Sequence, residues 1–204
     1  MFSIKRHNPT SYNNIMAYPL LKFVHIIGLV LIGGGLIGVW LHDLRSRQMR
    51  EPVLFAEATR NIAIFYDGVV VPGALLLLFS GAWMTSSVYG GWGFINIPWL
   101  AGMIFLFAFE FVEGNTITRL YFMRLRRIAR EAVSAGHFTP QLEHERARLV
   151  PTITHFLDLP IIVLLIALGV FRPVTWDFFV IGLIAAIVAA FVLTAVMRRV
   201  YRWD

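Results

Sequence analysis

No cysteine occurs among the 204 residues. Disulfides, iron–sulfur clusters, thiolate metal sites and covalently attached haem are therefore excluded. Charge is scarce as well: Asp, Glu, Lys and Arg make up 15% of the chain, against about 25% in a typical soluble domain. Acids are the rarer sign, 12 against 18 basic residues, for a net charge of +6. What fills the chain instead is apolar, 58% of residues, with a mean hydropathy of +0.70. That composition excludes a disordered chain and an ordinary water-soluble domain, and it makes the lipid bilayer the solvent. No phosphate-binding loop, hydrolase triad or nucleic-acid-binding module is present, so the basic surplus reads as membrane orientation and no nucleic-acid partner is expected.

A helix that crosses a bilayer needs roughly 20 mostly apolar residues. Five segments qualify: Ala17–Leu41, Ile62–Met84, Ile97–Leu120, Thr152–Phe171 and Phe178–Met197. The expected fold is all-α, a multi-pass membrane helix bundle forming one membrane domain over residues 1–204. No small-residue cleavage motif follows the first span, so that span is expected to stay in the mature chain. Two long polar stretches, His42–Asn61 and Tyr121–Pro151, together with Arg119 and the C-terminal tail, carry 14 of the 18 Lys and Arg residues. Lys5, Arg6, Lys22 and Arg172 lie on the other side. Cytoplasmic loops collect positive charge, which places the N-terminus outside, the C-terminus inside, and the protein in a bacterial inner membrane. Tyr89, Trp92, Trp99, Trp176 and Trp203 fall where interfacial aromatic belts belong. Arg119–Ala135 reads as a helical continuation of the third span, ended by Gly136 as C-cap, with Thr139 and Pro140 opening a short helix.

Ionisable groups inside spans are costly and are functional candidates. His25 lies roughly 11 Å below the outer end of the first span, at about 1.5 Å of rise per residue. Gly28 and Gly35 share its face approximately, and Gly34 and Gly38 form a small-xxx-small pair. A neutral histidine flanked by glycines suits a flat, non-covalent cofactor such as haem b; helix packing is the alternative use of the same residues. If His25 ligates iron, Met103 at matching depth on the third span is the candidate second ligand, and His/Met ligation is an established haem arrangement.

A second set lies in the inner half. Asp67, Glu113 and Asp158 each fall roughly 7–11 Å from the inner end of their spans. Glu110 sits one turn deeper than Glu113, His155 shares a face with Asp158, and His42 closes the inner end of the first span. Several carboxylates in one layer cannot all be ionised without partners. They are expected to be protonated, paired with an arginine such as Arg119, or bound to a metal. The set reads as a structural network, a proton-conducting or quinone-facing patch, or a metal site.

Three stretches then resemble a known superfamily. LLKFVHII is similar to the first helix of the copper-resistance protein D and HemJ superfamily, PGALLLLFSGAWM to its second helix, and LDLPIIVLLIALGVFRP to its last. The resemblance covers residues 18–173 and implies that His25 is the haem ligand. It also implies a shared four-helix bundle over 17–173, preceded by an outer segment 1–16 and followed by an added fifth helix and tail over 174–204. The superfamily's protoporphyrinogen oxidases have a third-helix lysine and a Tyr-His-Gly-like element. Ile97–Leu120 has no lysine, and Phe109-Glu110-Phe111 stands in place of the other element. The chain thus resembles the superfamily's branch of predicted bacterial integral membrane proteins more closely than the oxidases. The expected function is haem-b-dependent electron transfer with quinone or a redox partner subunit. The alternatives are a non-catalytic subunit or assembly factor, and a proton or metal transporter.

Overall fold

The computed structural model describes residues 9–201, with side chains from Tyr18 to Tyr201. Lys5, Arg6, His7, Arg202 and Trp203 lie outside the described residues. The fold is all-helical, with 89% of residues in helix and no strand among those described. Six helices follow in order: α1 (Pro9–Ser46), α2 (Pro52–Val88), α3 (Pro98–Ala135), α4 (Pro140–Arg146), α5 (Leu149–Phe171) and α6 (Asp177–Val200). All but α4 are long and apolar enough to cross a membrane.

The helices outrun the spans read from hydropathy. His42–Asn61, expected as a polar loop, is reduced to a turn over residues 47–51. The reason is amphipathicity. Phe55, Ala58, Thr59 and Ile62 recur at helical spacing and are buried, while Glu57 and Arg60 point outward, so polar composition here marks one helix face and not a loop. The same logic extends α3 beyond the hydrophobic stretch. Tyr121, Phe122, Leu125, Ile128, Ala129 and Ala132 bury one stripe and Arg124, Arg127 and Arg130 stay exposed. Gly136 terminates α3 at φ 75°, a conformation that glycine adopts without strain. The Thr139 hydroxyl accepts from the Leu142 N–H at 3.3 Å to cap α4.

α1 packs along α2, the first part of α2 packs on the second part of α3, the first part of α3 packs on α5, and α6 lies mainly against α5. Gly28 and Gly73 set the closest approach of α1 and α2: a Cβ at either would stand 2.9 Å from the other's carbonyl oxygen. Gly35 and Gly38 continue that contact against Val70 and Phe65, whereas Gly34 faces open space. The close-approach glycines are thus spent on α2, and the pair that meets it is Gly35 and Gly38.

Much of the dense core lies at the arginine-rich end, where α4 closes over α2 and α3. There the Arg146 guanidinium lies 5.1 Å from the Phe55 ring centroid and 4.8 Å from that of Phe138. Burial pulls its pKa down to about 10. It stays charged at neutral pH, so the cation–π contact is retained.

Candidate intramembrane polar site

Two π-helical turns meet across the α2–α3 contact, Tyr66–Val70 and Gly114–Thr118. Each has a local cause. Pro72 brings no N–H to the carbonyl of Gly68, which breaks the α-helical ladder of α2 at that point. In α3 the Asn115 amide donates to the Phe111 carbonyl at 2.7 Å and the Thr116 hydroxyl to that of Val112 at 2.6 Å. These side chains compete with the backbone for the same acceptors. The Tyr66 hydroxyl ties the two turns together by donating to the Gly114 carbonyl at 2.8 Å. A Cβ at Gly114 would lie 2.7 Å from that hydroxyl oxygen, so a larger residue there would have to displace the end of the Tyr66 side chain. π-helical turns inside α-helices are frequent at functional sites.

Beside them stand the acids. Oxygens of Glu110, Glu113 and Asp158 lie within 4.8 Å of one another. The Thr118 hydroxyl donates to Glu113 Oε1 at 2.8 Å. Glu113 Oε2 and Asp158 Oδ2 are buried without a hydrogen-bond partner among the described residues. The group borders a narrow cleft whose walls include Ile32, Leu36, Val70 and Phe107, with Glu110 and Asp158 among its few polar lining groups.

A second polar group adjoins the first. His155 is 1% exposed and is packed among the rings of Trp40, Phe122 and Phe156. Its Nδ1 lies 3.5 Å from Asp158 Oδ2 and its Nε2 3.9 Å from Asp43 Oδ2. Asp43 in turn holds Arg47 Nε at 2.9 Å, with both side chains buried. The Trp40 indole N–H donates to the His155 carbonyl at 3.1 Å, so α1 is pinned to α5 at this level.

The inner residues singled out in the sequence therefore divide. Glu110, Glu113, Asp158 and His155 come together. Asp67 does not join them: it pairs with Arg119 at 2.9 Å, with side chains 47% and 38% exposed. His42 turns away, its Nδ1 2.8 Å from the Gly38 carbonyl oxygen and its ring over Phe65. Its neighbour Asp43 is the residue that enters the network, and sequence reasoning passed over it by ending the first span at Leu41. The signal was present. Ile32, Leu36 and Val39 form a buried stripe, and one further turn along it lands on Asp43, with Arg47 at i,i+4.

Towards the opposite end of α1, half-buried His25 meets α2. Its Nδ1 lies 2.9 Å from Ser80 Oγ, and Gly81 leaves room for the ring edge. The Ser80 hydroxyl hydrogen is directed to the Leu76 carbonyl, so Ser80 accepts from His25 Nδ1–H and the lone pair resides on Nε2. Met103 lies at another interface, where a Cβ on Gly169 of α5 would stand 3.6 Å from its sulfur.

One family model, described as a predicted integral membrane protein (DUF2269), matches residues 19–173. Neither the curated proteins nor the solved structures contain a match.

Proposed function

Because the chain belongs to the DUF2269 family of predicted integral membrane proteins, its work is done within a bilayer, and we propose that this work is to take up and pass on protons at the Glu110–Glu113–Asp158 cluster. In this reading the protein sits in the bacterial inner membrane with its arginine-rich end in the cytoplasm, the side that arginine favours. The observation that carries the reading is the approach of three carboxyl groups within 4.8 Å. Three negative charges that close, in a low-dielectric setting, cannot all be sustained. Arg119 does not relieve them, since Asp67 engages it. The cluster must hold protons or a cation, and protons meet that need with no further ligand, which favours the first.

The test uses purified protein in liposomes that enclose a pH-sensitive dye. The protein is expected to dissipate an imposed pH gradient faster than protein-free liposomes. Glu113→Gln keeps an acceptor oxygen for Thr118 but removes the titrating group, and should slow that flux by about tenfold or more, in line with the loss of a positioned proton-transfer group. A well-folded protein that leaves the gradient intact overturns the reading. Uptake of a divalent metal by the same vesicles would transfer the site to cation transport.

A second reading, haem b at His25, has its own support. Ser80 orients the imidazole and leaves Nε2 as a free donor, the arrangement of a histidine that ligates iron. Haem would supply one-electron chemistry, exchanged with quinone or a partner subunit, and kinship with the copper-resistance D and HemJ superfamily belongs to this reading. Detergent-purified protein should then show a Soret band with reduced b-type features, and His25→Ala should remove it. A band unchanged in His25→Ala rules out the ligand. A colourless protein without flux, recovered in fixed ratio with a larger complex, would instead indicate an assembly role.

A further inference from the structure

We propose that His155 is the exit relay of the carboxyl cluster, carrying protons between Asp158 and Asp43 towards the arginine-rich end. The inference rests on the proton-handling reading and adds a route to it. Three buried titratable side chains from two helices lie in a row: Asp158 Oδ2 is 3.5 Å from one ring nitrogen of His155, and Asp43 Oδ2 is 3.9 Å from the other. Among the described residues, both ring nitrogens, Asp158 Oδ2 and Asp43 Oδ1 have no hydrogen-bond partner. Buried polar atoms left unpaired are costly, and a fold built only for stability would satisfy them. The charged groups facing the ring are Asp43 and Arg47 from α1, Glu113 from α3, and Asp158 from its own helix.

The transfer balances. Asp158, protonated, gives its proton to His155 Nδ1 as Nε2–H passes its own proton to the Asp43 carboxylate. Asp158 is left ionised, Asp43 is protonated, and the imidazole stays neutral with its tautomer exchanged. Rotation of the ring, or transfer in the reverse direction, resets it. Arg47 holds Asp43 in place, and Gln48, one residue beyond Arg47, is exposed. The last acceptor is therefore little more than a helical turn from the surface. The other ends of the row are the cleft and Glu110. Asymmetry in the gaps is informative: neither is bridged in the resting arrangement, so small side-chain movements connect or break the path.

The experiment follows the carboxyl C=O infrared band of the purified protein on transfer into D2O. Wild type is expected to show a buried protonated carboxyl band, diminished in Glu113→Gln, whose deuterium shift develops quickly. In His155→Gln the band should persist while its exchange slows by about tenfold or more, the scale of losing one positioned acid–base group. Asp43→Asn combined with Arg47→Gln, which removes acid and base together, should slow it similarly and guards against misfolding of the single variant. Unchanged exchange in both, with the band present, overturns the relay and leaves the cluster served through the cleft alone. Absence of the band from wild type overturns the proton-handling reading itself, and the relay with it.

Discussion

Asp43→Ala is expected to lower the stability of the protein by about 3–5 kcal/mol, the usual cost of removing one partner from a buried ion pair. Asp43 and Arg47 have side chains 1% and 2% exposed and lie 2.9 Å apart, with the Arg47 guanidinium 5.7 Å from the Phe156 ring centroid. Removing the carboxylate takes a close, buried counter-charge away from the Arg47 guanidinium. The loss should appear as a fall of about 6–20 °C in the midpoint of thermal unfolding, at about 2–4 °C per kcal/mol for a chain of this size, followed by tryptophan fluorescence in detergent. Asp67→Ala provides the contrast. Its contact with Arg119 has the same length, 2.9 Å, but the two side chains are 47% and 38% exposed, and pairs of that kind contribute about 0–1 kcal/mol. Asp43→Leu with Arg47→Met should recover most of the single-site loss, because burying neither charge is less costly than burying one. Equal effects of Asp43→Ala and Asp67→Ala would show that burial does not govern these pairs.

Gly28→Leu should be nearly as damaging, by a different mechanism. A Cβ at Gly28 meets the Gly73 carbonyl at 2.9 Å and the Leu77 backbone nitrogen at 3.0 Å. These are backbone atoms of a packed helix and cannot rotate aside, so α1 and α2 must separate. Overpacking of this kind costs about 1–3 kcal/mol or more. Because α1 carries Asp43 and α2 carries Tyr66, separation should also loosen the polar site some distance away. Gly34→Leu, with nothing within 4 Å of the added Cβ, should leave the unfolding midpoint nearly unchanged. A substantial fall at Gly34 and none at Gly28 would contradict the packing described for this face.

The site owes its position to broken helical order. Pro72 interrupts α2, and the back-bonding of Asn115 and Thr116 interrupts α3. The resulting π turns bring Tyr66 to Gly114 at the level of Glu113. The Gly114 carbonyl keeps a backbone donor, the Arg119 N–H, and accepts from the Tyr66 hydroxyl as well. Glu110 and Glu113 lie in the α-helical turns just before the π turn of α3, and Asp158 faces them from α5.

From the amino-acid sequence alone came the solvent, the five crossings, the glycine that ends α3 and the cap of α4. Each of these depends on composition over a window or on a residue's local conformational preference, and neither needs a partner to be known. Glu110, Glu113, His155 and Asp158 could be singled out for the same reason, since an ionisable group in an apolar run is conspicuous by itself. Only the packed structure decided which of the candidates meet. Asp67 and Glu113 looked equivalent by depth, but the rotation of α2 turns Asp67 outward to Arg119 while α3 turns Glu113 inward. His42 and Asp43 differ by one position, about 100° around a helix, and that angle alone separates a half-exposed ring from a buried carboxylate. Depth follows from counting along one helix; facing depends on how two helices are set against each other, and that is fixed by close contacts such as Gly28 with Gly73, far along the chain from the acids they align.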